Sequence, residues 1–378
     1  MITPDYYYVI VGGGLAGLQL ASRISQDIFF KGKKIAIIDP LSKSIEDKTW
    51  CYWEKGKGNW DDLTIHSWKK AGLFSSEIEK ITDLGEYSYK MLSSIDFNEA
   101  IKKQLQLKEE FIFIEDEVEK IDPVTRTAIG KNGSYTATHF FDSRPDPGYM
   151  EHKKYSMIHQ HFKGWMIETE KEHFDPSMFT MMDFRIGYKN ATCFTYVLPL
   201  SPKKALVEYT FFTPFLTEED VYDKQLEKYL KQVLKIQDYR ILGTESGNIP
   251  MTDFPFEEQN SDYITKIGTG GGWVKASSGY SFKNSEKKID QLIENIKSGH
   301  KPSYRLLNKR FRKYDAIFLH VLLKRNDLGE DLFMKLYTRN SIQDIFRFLD
   351  EETRFSEDIK IMKSLFHPQF MKSFFKKI

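Results

Sequence analysis

A glycine-rich turn near the start of the chain restricts the fold more than any other feature. Tyr6–Val11 is an apolar run typical of a buried parallel strand, and Gly12, Gly14 and Gly17 follow it in G-x-G-x-x-G spacing. The first glycine permits a tight turn, the second allows a phosphate to approach the backbone, and the third allows the next helix to pack closely. This order of strand, turn and helix predicts a Rossmann-type βαβ unit that binds a dinucleotide.

An acidic residue after this unit supports the same interpretation. Residues 33–39 predict a second strand that ends at Asp39, where a carboxylate can accept a hydrogen bond from a ribose hydroxyl. The positive end of the intervening helix favours phosphate. The motif alone does not distinguish an FAD site from an NAD site well. The alternative to nucleotide binding is a turn with a purely structural role. The residues expected to bind the cofactor here are Gly12, Gly13, Gly14, Ala16, Gly17 and Asp39.

A second glycine-rich strand end occurs late in the chain. Residues 263–267 predict a strand, and a glycine cluster at 268–272 and the segment to Phe282 follow. In a flavoprotein, a late segment of this kind returns to cover the pyrophosphate and the flavin ring, which favours FAD over NAD. An ordinary glycine-rich loop is the alternative. The further cofactor contacts expected here are Gly270, Gly271, Gly279 and Tyr280.

Strand signals between these two regions follow one another without helices. They cover residues 159–165, 178–186, 193–198 and 205–212, which predicts an antiparallel meander. We therefore predict an α/β fold with a Rossmann-type FAD-binding lobe, an inserted antiparallel β-sheet substrate lobe and a helical C-terminal region. The predicted boundaries are 1–150 and 240–290 for the discontinuous FAD-binding domain, 151–239 for the substrate-binding lobe and 291–378 for the helical region.

The composition excludes several classes of protein. A net charge of +1, from 55 basic and 54 acidic residues, argues against nucleic-acid binding. The two cysteines and nine histidines have no metal-ligand spacing, so we expect no metal and a reducing, cytoplasmic location. The first strand leaves no room for a secretion signal, and no apolar run reaches the ~18–20 residues needed to span a bilayer. The 29 Phe and 20 Tyr residues suit a site for a large apolar ligand.

Glu208 is the candidate acid. In a strand over residues 206–212 its side chain shares one face with Leu206, Thr210 and Phe212. Desolvation on a mostly apolar face raises the pKa of a carboxyl group, so it can hold a proton near neutral pH and donate it. The alternative is a glutamate on an edge strand that reaches solvent. Residues 47–62 read as a tryptophan-rich loop, either packed on the core or forming the wall of an apolar pocket with Trp50, Tyr52 and Trp53.

Taken together, these segments resemble the lycopene β-cyclase family of carotenoid biosynthesis along the whole chain. Residues 206–210, Leu-Val-Glu-Tyr-Thr, align with the family's Phe-Leu-Glu-Glu-Thr motif and place Glu208 on its first, catalytic glutamate. Tyr209 replaces the second glutamate, and Lys275-Ala276 replaces a common His-Pro. The other segments that carry the resemblance are residues 47–53, 182–185, 194–200, 247–250 and 271–282.

The resemblance implies a non-redox isomerase that closes the linear ends of lycopene into β-ionone rings, through γ-carotene. It implies reduced FAD, NAD(P)H as the reductant, and proton transfer by Glu208 alone or shared with the flavin. Since lycopene lies in membranes, we expect peripheral docking on a membrane surface, and residues 367–378 mix Phe with Lys as an interfacial helix does. Two rivals remain: a redox flavoprotein acting on an isoprenoid, such as a prenyl reductase or monooxygenase, and a non-catalytic dinucleotide-binding protein.

Overall fold

The computed structural model describes residues 4–40 and 48–365, so Asp47 and the predicted helix at 367–378 lie outside the described residues. Within them the strands are β1 (Tyr6–Val11), β2 (Ile35–Asp39), β3 (Thr49–Lys55), β4 (His66–Trp68), β5 (Lys70–Phe74), β6 (Glu79–Asp83), β7 (Tyr87–Ser93), β8 (Phe111–Glu115), β9 (Val118–Asp122), β10 (Thr127–Gly130), β11 (Ser134–Asp142), β12 (Met157–Glu168), β13 (Met178–Asp183), β14 (Cys193–Ser201), β15 (Lys204–Thr213), β16 (Arg240–Thr252) and β17 (Ile264–Lys266). The helices are α1 (Leu15–Gln26), α2 (Ser94–Gln106), α3 (Glu219–Gln232), α4 (Phe282–Lys297), α5 (Lys309–Lys324), α6 (Gly329–Arg339), α7 (Ile342–Leu349) and α8 (Phe355–Ser364).

The first sheet is the predicted Rossmann layer. Its parallel strands lie in the order β8-β2-β1-β11, β17 pairs with the end of β11, and β10 and β9 extend it antiparallel. Helices α1, α2 and α4 bury apolar side chains against one face, among them Leu18, Ile101 and Leu292. Because parallel strands end at the same edge, β1, β2, β11 and β17 deliver their following turns to one place.

The tryptophan-rich segment is a strand, where the sequence suggested a loop. β3 pairs with β7 residue for residue, from Thr49 opposite Ser93 to Lys55 opposite Tyr87, and β4 completes this small sheet. Side chains of β3 alternate between the two faces of this sheet, with Trp50, Tyr52 and Glu54 on one face and Cys51, Trp53 and Lys55 on the other. The charged residues nearby obscure this alternation in the sequence.

The second large sheet has the order β16-β12-β15-β14-β13-β5-β6 and is antiparallel except between β13 and β5. The predicted boundaries need correction here, since residues 240–252 form β16 on the edge beside β12, outside the Rossmann layer. Residues 70–83, also assigned to the FAD-binding domain, form β5 and β6 at the opposite edge. Both assignments depend on pairing with distant strands, which local sequence patterns do not encode.

The helical C-terminal region packs on one face of this sheet, and α3 packs on the other. Apolar residues of α5, α6 and α7, including Leu322, Phe333 and Phe346, form one cluster with Leu206 and Phe212 of β15. The predicted α/β fold, with its Rossmann-type lobe, inserted antiparallel sheet and helical C-terminal region, is confirmed. No helix among the described residues is both long and apolar enough to cross a membrane.

Candidate active site

The turn after β1 is packed so tightly that two of its glycines leave no room for a side chain. Gly12 has a φ of +103°, and a Cβ atom there would overlap the Ser143 hydroxyl. A Cβ atom on Gly17 would overlap the carbonyl oxygen of Gly12. The two glycines therefore let α1 lie directly against the turn, which places the first turn of the helix at the end of the strand.

Open space beside Gly14 provides a test of whether a dinucleotide fits. Gly14 caps α1 with an ordinary φ of −85°, and a Cβ atom there would meet no other atom within 4 Å. The helix has no side-chain cap and no acidic residue in its first turn, so its amide groups are available to an anion. Asp39, at the end of β2, accepts a hydrogen bond from the Gly13 amide. These residues fit a pyrophosphate and a ribose.

The late glycine turn meets the same edge of the sheet. Gly268 has a φ of +55°, and a Cβ atom there would lie 3.0 Å from that of Ala16 in α1. Gly270 and Gly271 lie against the backbone carbonyls of Arg144 and Lys266, where side chains would clash. The structure thus brings the late turn to the early one. It places these two glycines against the scaffold, and their contact with a cofactor stays a prediction.

A large apolar cavity of about 550 Å³ separates the second sheet from the C-terminal helices. The predicted cofactor residues Gly279 and Tyr280 lie in its wall, together with Glu208. Gln160 Oε1 is buried next to Gly279 and has no hydrogen-bond partner among the described residues, which leaves an acceptor for a bound ligand. The wall is mainly aromatic and aliphatic, with Trp50, Phe162, Phe194, Phe212, Leu336 and Phe348 among its members.

Glu208 lies in this wall because of the alternation of β15. That strand is interior, between β12 and β14, so the alternative of an edge-strand glutamate reaching solvent is wrong. Its side chain is only 8% exposed and accepts a hydrogen bond of 2.5 Å from the Thr210 hydroxyl. Burial, followed by the charge of Glu245, raises the pKa of Glu208 to about 8. The carboxyl group is therefore mostly protonated at neutral pH, as a proton donor requires.

Tyr209, which replaces the family's second glutamate, points to the other face of the sheet. Its side chain is fully buried against α3 in a cluster with Leu226 and Tyr229. Its hydroxyl donates a hydrogen bond of 2.8 Å to the carbonyl of Ile186 and lies 3.1 Å from Cys193 Sγ. Residue 209 therefore makes no contact with the cavity.

Glu245 is a cavity residue that the sequence did not reveal. It lies on β16, and its Oε2 accepts hydrogen bonds from the Thr49 hydroxyl at 2.7 Å and the Thr49 amide at 3.3 Å. Residues 240–248 lack alternating apolar residues because this edge strand is largely exposed on its outer side, so they did not read as a strand. The Gly247-Asn248-Ile249-Pro250 element was the available signal, since Glu245 precedes it by two residues.

A cluster of hydroxyl groups lies in the same wall. The Tyr196 hydroxyl donates to that of Tyr89 at 2.7 Å, and the Tyr280 hydroxyl lies 3.0 Å from Tyr89. Burial raises the pKa of all three phenols and of the adjacent Cys51 thiol, so these groups are neutral. They provide polarity and electron-rich rings without an added charge.

The tryptophan-rich strand contributes only part of the predicted wall. Trp50 and Cys51 reach the cavity. Tyr52 instead stacks on Phe282 with ring centres 4.4 Å apart, and Trp53 stacks on Phe346 at 4.5 Å. These two aromatic residues belong to the core between β3 and the later helices.

Lys275, at the position of the family's His-Pro, anchors the segment that carries Gly279 and Tyr280. It is almost fully buried and pairs with Asp315 of α5 at 2.9 Å and with Glu351 at 3.1 Å. These ion pairs connect the late glycine-rich segment to the C-terminal helices. In residues 4–40 and 48–365, no group of three His, Cys, Asp or Glu side chains could hold a metal ion.

Solved structures share this architecture at low sequence identity. A geranylgeranyl bacteriochlorophyll reductase-like protein from Thermoplasma acidophilum aligns with a TM-score of 0.61 and 13% identity, covering 99% of each chain. A tryptophan halogenase from Shewanella frigidimarina aligns at 0.60 and 12%, covering 99% of this chain and 94% of its own. A flavin-dependent brominase aligns at 0.59 and 13%, covering 99% of this chain and all of its own. At such low sequence identity, these similarities show a shared fold and nothing about activity.

The sequence comparison is more specific. No sequence among individually curated proteins matches this chain. A profile for the family described as Lycopene cyclase protein matches residues 8–374, nearly the whole chain. The resemblance inferred from the motifs is thereby confirmed, and the chain belongs to the lycopene cyclase protein family.

Proposed function

We propose that this protein is an FAD-dependent lycopene β-cyclase, which converts lycopene to γ-carotene and then to β-carotene without net redox change. The observation that carries the proposal is the buried carboxyl group of Glu208, held in the wall of a large apolar cavity in a chain of this family. An acid that holds its proton at neutral pH and a surface that excludes water both favour protonation of an alkene.

The glycine turn, the open N-terminus of α1 and Asp39 are the residues proposed to hold FAD. Gly270 and Gly271 support this edge, and Gly279 and Tyr280 extend from it into the cavity wall. When bound and reduced, with NAD(P)H as the reductant, FAD supplies a negative charge that stabilises a nearby cation. The remaining steps fall to the side chains of the cavity.

Glu208 donates its proton to the terminal double bond of lycopene, which leaves a tertiary carbocation at the neighbouring carbon. The next double bond attacks that carbon, closes the six-membered ring and moves the positive charge into the ring. Loss of a ring proton then restores an alkene and gives the β end. Trp50, Tyr196 and Tyr280 line the cavity, and an aromatic ring whose face contacts a cation stabilises it by ~0.5–2 kcal/mol.

The proposed substrate reaches the enzyme from a bilayer, so the proposal includes docking at a membrane surface. Helix α8 and the residue after it line the cavity with Ile359, Met362, Lys363 and Leu365. Apolar and basic side chains in one helix are the composition that favours an anionic lipid interface.

Expression in cells that accumulate lycopene, followed by pigment analysis, tests the function. Ring-closed carotenes are expected from the native chain, and none from Glu208→Gln, which keeps the size of the side chain and removes its acid. Glu168→Gln, an exposed glutamate on β12, is the matched control and should cyclise normally. Persistent lycopene with folded, flavin-loaded native protein would refute the proposal. Consumption of NAD(P)H in stoichiometry with product would identify a redox flavoprotein.

A further inference from the structure

Four residues form a row across adjacent strands on the cavity face of the second sheet. Tyr196 of β14 lies opposite Glu208 of β15, Glu208 lies opposite Gly164 of β12, and Gly164 lies opposite Glu245 of β16. Residues directly opposite one another in a sheet point to the same face. The two glutamates are therefore aligned on either side of a glycine, and both line the cavity.

The glycine between them places no side chain of its own between the two glutamates. The atoms nearest to the position of a Cβ atom on Gly164 are Leu206 Cδ1 at 3.1 Å, Glu245 Cγ at 3.3 Å and Glu208 Cβ at 3.5 Å, so the two glutamate side chains start on either side of the same point. Adjacent strands are ~4.8 Å apart, so the backbones of β15 and β16 are roughly 10 Å apart across β12. Both side chains line the same cavity, so an alkene end group bound there can contact one carboxyl group on each side.

The surroundings of the two carboxyl groups differ. Glu208 accepts a hydrogen bond from the Thr210 hydroxyl, and it shares its face of β15 with the apolar Leu206 and Phe212. Glu245 accepts from both the amide and the hydroxyl of Thr49, two donors that favour an ionised carboxylate. Two carboxyl groups in environments that push their proton affinities apart are the usual arrangement of an acid and a base.

We propose that Glu245 is the catalytic base that removes the ring proton, a role that rests on the proposed cyclase function. Glu208 gives a proton to the terminal alkene, and a carbon–carbon bond then closes the ring. The Glu245 carboxylate takes a proton from the carbon beside the cation, and the electrons of that carbon–hydrogen bond become the ring double bond. Glu208 finishes as a carboxylate and Glu245 as an acid. Transfer of one proton from Glu245 to Glu208 restores both groups for the next turnover.

Cyclisation in deuterated buffer separates the two roles. Purified, FAD-loaded enzyme is reduced and given lycopene in vesicles at a pH-meter reading of 6. Glu245→Gln is expected to lower β-ring formation by about 100-fold or more, the range for loss of an acid–base group. Recovered lycopene should still gain deuterium at its terminal alkene, because Glu208 continues to protonate it and to take the proton back. Glu208→Gln should lose both ring formation and exchange.

Thr49→Val is a milder test, since it removes the hydroxyl donor to Glu245 and keeps the shape of the side chain. It should lower ring formation about tenfold with exchange unchanged, as expected for one hydrogen bond to a charged group. Glu245→Asp should recover part of the activity lost in Glu245→Gln, and Glu168→Gln should behave as the native enzyme. The flavin spectrum and melting temperature of each variant establish that it is folded.

Four results have distinct meanings. Normal ring formation by Glu245→Gln would overturn the role of Glu245 and leave the proposed cyclase intact. Loss of exchange together with ring formation in folded Glu245→Gln would also overturn it, because a base acts after protonation. A native enzyme that neither cyclises nor exchanges would refute the proposed function itself. Should Glu245→Gln fail to fold, unchanged ring formation by Thr49→Val would count against the inference.

Discussion

Glu208 couples folding to proton uptake, and the size of this coupling follows from its surroundings. Burial and the charge of Glu245 raise the pKa of the carboxyl group from 4.5 to about 8. The difference, about 8 minus 4.5, is roughly 3.5 units, which at 1.36 kcal/mol per unit corresponds to roughly 5 kcal/mol. Between these two pH values the folded protein holds a proton at Glu208 that the unfolded chain has released.

Because the folded protein binds this proton more tightly than the unfolded chain, protonation of Glu208 stabilises the fold. This contribution to the free energy of unfolding is fully present below pH 4.5, falls as the pH rises and is lost above about 8. Glu208→Gln carries no titrating proton, so the native protein should lose stability relative to this variant between pH 5 and 8.5. An unfolding entropy of ~2.1 cal/mol/K per residue over 378 residues gives roughly 0.8 kcal/mol/K, so 5 kcal/mol corresponds to about 6 °C.

Differential scanning calorimetry of FAD-loaded native protein and Glu208→Gln between pH 5 and 8.5 measures the effect. Roughly 3 of the 3.5 units lie within this range, so the difference in melting temperature should change by about 5 °C in favour of the variant as the pH rises. Glu168→Gln is the control, because its 41% exposed side chain pairs with Arg240 at the surface and should give a nearly constant difference. A difference between native protein and Glu208→Gln that does not vary with pH would refute the raised pKa of Glu208.

Three further predictions concern the same site. The rate of cyclisation should fall about tenfold per pH unit above pH 8, as Glu208 loses its proton, and initial rates from pH 6 to 9.5 measure this. Gly17→Ala should lower the melting temperature even of the flavin-free protein, because its Cβ atom would overlap the Gly12 carbonyl. Gly14→Ala should leave that melting temperature unchanged and weaken FAD binding, which flavin absorbance measures. The Tyr209→Phe variant should cyclise lycopene normally, which pigment analysis measures. The Tyr209→Glu variant should unfold, because its carboxyl group would be buried away from the cavity, and circular dichroism measures the loss of structure.

The sequence predicted the Rossmann elements well because each one has a local cause. Gly12 and Gly17 are required by contacts within a single turn and helix, and Asp39 ends a short buried strand. The antiparallel strands were also recognised, from their apolar alternation. The start of helix α2 also has a local cause, because the Ser93 side chain accepts a hydrogen bond from the Asp96 amide and caps the helix.

The membership of the second sheet was harder to predict, because pairing partners are far apart in the sequence. β5 pairs with β13, which lies more than 100 residues later in the sequence. β16 follows α3 in the sequence but pairs with β12 at the edge of the sheet. A polar edge strand has one face in solvent, so the alternation that marks a strand is weak there. Glu245 was missed for this reason, although its carboxyl group lies in the same cavity as Glu208.

Strand geometry, more than the glutamate motif, determines which carboxyl groups reach the cavity. Adjacent residues of a strand point to opposite faces, so two consecutive glutamates at 208 and 209 could not both line the cavity of a regular β15. The replacement of the second glutamate by Tyr209 therefore removes no acid or base from this site. The second carboxylate comes from a residue two strands away, in register through Gly164. Two glutamates on different strands, in register through a glycine, are the feature to seek in chains of this family that lack the second motif glutamate.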